Sequence, residues 1–179
     1  MNRKGDWIQT YTGKKFYPLD PRPEDICIED IAHALALTCR YNGHCKFFYS
    51  VAEHSVRSIS TTDLLPELAE QRWLLMHDAA EAYIGDVPRP IKPMLSEFKE
   101  IENYILKVIG FKFQLGNIPH NKIERADRIL LSTEKRDVMV SGTEWFIPLP
   151  NPMEKRIIPW SWVEAEKTFL AIALALNIK

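Results

Sequence analysis

Prolines partition this chain. Of its twelve, three stand at Pro18, Pro21 and Pro23, three at Pro88, Pro90 and Pro93, and four between Pro148 and Pro159. Proline lacks a backbone N–H and clashes with the preceding turn, so none of these stretches sustains a helix. Between them, apolar residues recur at helical spacing. Ile28, Ile31, Ala32, Leu35 and Cys39 mark a first amphipathic helix, acidic in its opening turn and ending near Asn42 and Gly43. Ser50 stands three residues before Glu53, the spacing of a capping box, and opens a second. A third is expected from about Pro66 to Tyr83 or Ile84, with Gly85 as its left-handed stop. A fourth carries Leu95, Phe98, Ile101, Ile105 and Val108 and stops at Gly110. A fifth runs from about Pro119 to Val140, before Gly142. Ser161 and Glu164 repeat the capping-box spacing at the head of a last helix through Leu176. Residues 143–159 read as a long surface loop and residues 1–24 as an irregular N-terminal extension. No alternating run of useful length predicts a strand. The expected fold is all-α, a single helical domain over residues 25–179 with proline-rich loops.

Composition narrows the function. With 46% hydrophobic and 26% charged residues the chain is globular rather than disordered. Lys+Arg (23) balance Asp+Glu (24), so no basic excess suits a nucleic-acid polymer or a membrane surface. No signal peptide is visible, and the longest apolar run, Phe169 to Leu176, falls far short of the roughly 20 residues of a membrane span. Cys27, Cys39 and Cys45 are odd in number and form no C-x-x-C, which predicts free thiols and a reducing cytoplasm.

The chemistry concentrates in Trp73 to Asp86. His77 and Asp78 interrupt an apolar run, where polar side chains are expensive to bury without partners. Glu81 lies four residues beyond His77 and three beyond Asp78, so on a helix all three project toward one side. Two ligands beside a spare carboxylate suit a metal-activated water. A mononuclear hydrolytic centre needs further ligands, and the chain offers His54 on the second helix and Asp127 on the fifth.

His54, the His77-Asp78 dyad and Asp127 together match the H…HD…D pattern, and the chain resembles the HD-domain metal-dependent phosphohydrolases. It is most similar to the small bacterial and phage members that act on nucleotides, 5'-deoxynucleotidases and phage dATP triphosphohydrolases. Tyr49 to Ser55, His77 to Glu81, Gly85 to Lys92 and Ala126-Asp127 carry the resemblance. It implies that His54, His77, Asp78 and Asp127 bind one divalent transition metal ion (Co, Mn, Zn, Fe or Ni). It implies that Glu81 activates or orients the water and that Asp86 assists near the sugar or scissile phosphate. Arg40-Tyr41 matches the Arg-Trp pair that contacts substrate in the deoxynucleotidases, with Arg40 on phosphate and tyrosine replacing tryptophan. His44, Lys46, Arg89 and Lys92 would add positive charge around the phosphates. Only His120 lies between the dyad and Asp127, so one metal is expected rather than two.

The implied activity is hydrolysis of deoxynucleoside phosphates, as a dNTP triphosphohydrolase or a dNMP 5'-nucleotidase. The implied protein is a cytoplasmic homo-oligomer whose partner is a small-molecule nucleotide. Two other functions fit the same residues: a cyclic-nucleotide or alarmone phosphodiesterase, and a non-catalytic nucleotide- or metal-binding module. The absence of Gly-Tyr-Pro after the dyad counts against the cyclic-dinucleotide branch. Five tryptophans, three of them flanking or within the proline-rich loop, have core packing as their common explanation.

Overall fold

The computed structural model describes residues 3–61 and 67–179. The expected start of the third helix at Pro66 lies outside them. The described residues are mostly helical: α1 (Ile28–Leu37), α2 (Val51–Ser58), α3 (Leu68–Met76), α4 (Glu81–Ile84), α5 (Ser96–Lys112), α6 (His120–Asp137) and α7 (Trp162–Ala175). No helix among them is long and apolar enough to cross a membrane. All three cysteines are free thiols.

Helix α7 packs across α1 and α2, while α6 packs on α2 and α3. The apolar faces meet in one core that includes Ile31, Leu35, Val51, Trp73, Ile105 and Phe169. A smaller cluster of Tyr49, Leu130, Val138 and Ile157 sits apart from it.

Four boundaries differ from the sequence reading, each for a physical reason. Helix α1 ends at Leu37 rather than near Asn42, because Cys39 pairs with Ser50 in an antiparallel bridge. Gly110 does not stop α5. It lies inside the helix, where a Cβ would stand 2.9 Å from the Trp73 ring, so glycine serves close packing there. The third helix does not run unbroken to Ile84. Bonds from Ala79 N to Met76 O, Glu81 N to Asp78 O, Ala82 N to Ala79 O and Tyr83 N to Ala80 O tighten it to a three-residue repeat across the dyad. Gly85 then takes φ 81°, ψ 161°, a glycine conformation but not the left-handed helical one.

The N-terminal segment is less irregular than expected. Ile8–Gln9 pairs antiparallel with Lys15–Phe16 as strands β1 and β2, Ile8 opposite Phe16. Phe16 is fully buried and stacks on Tyr83 at 3.8 Å, a burial worth roughly 1.5–3 kcal/mol. Buried Asp30 on α1 accepts from Thr12 N and Oγ1 and from Cys27 Sγ, which ties the hairpin turn to the helix.

The capping boxes form by halves. Ser50 and Ser161 accept from the N–H groups of Glu53 and Glu164 as expected. Fully buried Glu53 turns away from its own N-cap. It accepts from Trp160 N at 3.1 Å and from Arg57 at 2.8 Å, joining α2 to the residues before α7. A guanidinium and an otherwise unpaired N–H hold a buried carboxylate better than one cap N–H does.

The proline-rich segment is a strap lashed to α6. Arg128 donates to Pro148 O, Ser132 to Pro150 O, and Arg136 to Met153 O, while Thr133 and Asp137 accept from Met153 N and Ile157 N. These α6 residues run along one side of the helix, leaving Asp127 and Glu134 to face the other way, toward α2.

Candidate metal centre

The expected ligands come from three helical segments. The α2 cap at Ser50 sets the register that buries His54 one turn later. The tightened turn after α3 presents His77 and Asp78, and α6 brings Asp127. His54, His77 and Asp127 each offer one ligand atom, all within 4.8 Å of one another. His54 Nε2 lies 3.3 Å from His77 Nε2 and 3.3 Å from Asp127 Oδ1. Asp78 Oδ2 lies 3.3 Å from His77 Nε2 and 3.6 Å from His54 Nε2. A cation about 2.0–2.2 Å from each N or O ligand places neighbouring ligand atoms about 3–3.5 Å apart, which is the spacing here. The donor set of two imidazoles and two carboxylates fits a divalent transition metal.

Both imidazoles are turned the right way for ligation. His77 Nδ1 is 2.7 Å from Leu74 O, an atom that can only accept, so Nδ1 carries the hydrogen and Nε2 keeps its lone pair. His54 Nδ1 is 2.6 Å from Glu134 Oε1, which leaves Nε2 as the nitrogen that faces the ligands.

Glu134 did not figure in the sequence reading. It is fully buried on α6, two turns beyond Asp127 and therefore on the same face. Besides His54 it receives the Tyr41 hydroxyl and Arg40 Nη2, the latter at 3.4 Å. Burial disfavours its charge, but Arg40 and His54 outweigh burial and hold the carboxyl down at about 2. The signal available in sequence was its seven-residue spacing from Asp127.

Charge in the cluster is tightly coupled. Burial and Arg40 oppose a proton on His54, yet Glu134 and Asp127 overcome both and push it up to about 9. Burial likewise works against the Asp127 charge, while His54, Arg40 and His77 hold its carboxyl well below the usual range. An excess of carboxylates around two imidazoles attracts positive charge, which a bound cation would supply.

The expected water-handling residue stands beside the ligands. Glu81 is 5% exposed, and its Oε2 is buried without a hydrogen-bond partner among the described residues. Burial, then Asp78 and Asp86, push its carboxyl up to about 9 against the pull of Lys92 and Arg40. Asp86 is half-buried, near enough for its charge to act on Glu81.

The expected phosphate-binding cations divide into two groups. Arg40 lies on the cluster, with Nη1 3.5 Å from Asp78 Oδ2. Arg89 reaches Asp127 Oδ2 at 3.1 Å from an exposed position, and Lys92 bridges Glu81 (3.4 Å) and Glu102 (3.0 Å). His44 and Lys46 are exposed, and no side-chain bond joins either to the cluster among the described residues. Tyr41 contributes its hydroxyl to Glu134, while its ring lies 6.2 Å from Trp145 of the strap.

A cavity of about 720 Å³ lies elsewhere, lined by Trp73, Gly110, Phe111 and Ile118 among others. A centre defined by converging ligands needs no such hollow, and the donor atoms locate the chemistry better than volume does.

No family model matches the chain. It is 40% identical over 143 residues to YfdR of Escherichia coli, spanning 78% of this chain and 76% of YfdR. The chain belongs to the YfdR family. A Rhodobacter capsulatus protein is 34% identical over 129 residues, 69% of this chain and 66% of its own. Both relatives are described as uncharacterized, so membership brings no activity with it, and function rests on the site.

Proposed function

We propose that this member of the YfdR family is an HD-domain phosphohydrolase that cleaves phosphate from deoxynucleotides in the cytoplasm. The observation that carries the reading is the convergence of ligand atoms from His54, His77 and Asp127, with Asp78 Oδ2 within 3.6 Å of both imidazoles and the Glu81 carboxylate buried three residues beyond Asp78. A bound divalent ion would supply a water acidic enough to ionise near neutral pH and positive charge for the phosphoryl oxygens.

The chain's own residues have the following parts. His54 and His77 present Nε2 because their Nδ1 atoms are engaged behind them. Glu81, with Oε2 uncommitted, accepts the proton of the attacking water. Arg40 gives up long contacts of 3.4 and 3.5 Å to carboxylates and offers paired N–H donors to a phosphate. Arg89 and Lys92, on the more exposed side, neutralise further phosphate charge. Asp86, whose charge acts on Glu81, would assist near the sugar or the scissile phosphate.

The test is a screen of each dNMP and dNTP with Mn, Co or Zn supplied in turn, quantifying nucleoside, phosphate and triphosphate. Turnover lost in Asp78→Ala and in Glu81→Ala, with metal still bound by the second variant, supports the reading. Release of intact triphosphate assigns the triphosphohydrolase, and release of phosphate from dNMP the nucleotidase. Turnover unchanged in both variants would falsify the catalytic assignment.

A further inference from the structure

Arg40 and Tyr41 precede α2 in a short turn, whereas His54 lies inside that helix. One carboxylate touches all three. Glu134 Oε1 meets His54 Nδ1 at 2.6 Å, and Oε2 receives the Tyr41 hydroxyl and faces Arg40 Nη2 at 3.4 Å. Its side chain is wholly shut off from solvent. A charge buried that deeply persists only with partners on both oxygens, and here each oxygen has a different task.

The backbone supplies a second observation. Tyr41 and Asn42 both adopt left-handed conformations, with φ 56° and 51°. Residues other than glycine pay about 1–2 kcal/mol each for that geometry, and it persists where surrounding structure enforces it. The turn delivers the Tyr41 hydroxyl onto Glu134, and Tyr41 O accepts from His44 N to close it.

We propose that Glu134 is a positioning residue that fixes the His54 tautomer and ring orientation for metal binding and anchors the Arg40-Tyr41 turn to the same point. This rests on the metal-centre reading above and extends it to a residue outside the ligand set. Glu134 keeps one hydrogen of His54 on Nδ1, so that Nε2, facing Asp127 and His77, is the atom left to bind the ion. The negative charge behind the ring also raises the donor strength of Nε2. Because Oε2 holds the turn, the phosphate-binding group and the metal ligand are registered to one another through a single side chain. Tyr41 thereby acts as a strut between the turn and Glu134.

The test uses the full chain. Calorimetric titration of Mn²⁺ into chelator-stripped protein compares wild type with Glu134→Gln, an isosteric change that keeps volume and removes charge. The expected result is a loss of about 10–100-fold in metal affinity with helical circular dichroism unchanged. Equal affinity in a folded Glu134→Gln overturns the positioning role and leaves the metal centre standing. A wild type that takes up no metal removes the metal centre, and this role with it. Should Glu134→Gln fail to fold, histidine ¹⁵N spectra of zinc-loaded wild type decide the matter. A protonated Nδ1 on His54 supports the proposal, and an unprotonated one overturns it.

Discussion

Glu81→Gln separates function from stability at one atom pair. Glu81 is 5% exposed, Oε2 has no partner among the described residues, and Asp78 and Asp86 both disfavour its charge. An ionised, unsatisfied buried oxygen costs more than the roughly 1–3 kcal/mol of a neutral one. Taking up a proton instead costs about 1.4 kcal/mol for every pH unit above the group's ordinary value. Neutral glutamine has the same shape and needs no proton, but its buried amide is left unpartnered at about 1–3 kcal/mol. Glu81→Gln is therefore expected to stabilise the protein by about 1–3 kcal/mol at pH 7.5, the cost of the proton (about 4 kcal/mol) less that of the unpartnered amide. For a chain of this size that is about 2–4 °C per kcal/mol, or a rise of about 2–12 °C in Tm. Scanning calorimetry at pH 7.5 with chelator reads it. The same variant, supplied with metal, should bind the ion and lose about 10²-fold or more in turnover. A Tm that is unchanged or lower would refute the claim that this carboxylate is held at a cost. Turnover near wild type would refute its role with water.

Other perturbations have equally definite outcomes. Burial opposes charge on Asp137, yet Arg136, Ile157 N–H and Arg156 hold its carboxyl well below the ordinary range. A depressed folded value means that its contribution is complete above about pH 4 and is lost as pH falls through the folded value. Asp137→Asn should therefore lower Tm at pH 7 and flatten the acid limb of a Tm–pH curve, and an unaltered acid limb would sink this account of the strap. Arg89 is 61% exposed in its side chain, so Arg89→Ala should change stability by less than about 1 kcal/mol in urea unfolding. Its KM for nucleotide should rise, with the difference shrinking at high salt, and a salt-independent KM would exclude a phosphate contact. Gly85→Ala meets no atom within 4 Å but must hold φ 81°, ψ 161°, so about 1–3 kcal/mol of destabilisation is expected from backbone alone. A neutral result would show that the turn relaxes.

Much of the helical layout was legible because its signals are local. The Ser50 and Ser161 caps, the α5 and α6 stripes and the proline-rich strap all follow from spacing or backbone chemistry within a few residues. The misreadings share a cause. Gly110 looked like a stop, but its role depends on Trp73, 37 positions earlier. The helix was expected to run smoothly through His77-Asp78, yet it tightens there. The N-terminal hairpin is too short to show alternation, and Phe16 and Asp30 hold it through contacts that no window of sequence contains.

The candidate site divides along the same line. Sequence alone singled out His54, His77, Asp78, Asp127 and Glu81, because few residue types hold metals or move protons and their spacing was informative. It also determined the near-neutral charge, which the site distributes as opposed patches, carboxylates at the cluster with Arg40, Arg89 and Lys92 around them. Only tertiary structure decided that Glu134 stands behind His54, that Arg40 lies against the carboxylates, and that His44 and Lys46 stay in solvent. A buried polar group takes whichever partner packing brings within about 3 Å, and that choice depends on how α2, α3 and α6 meet.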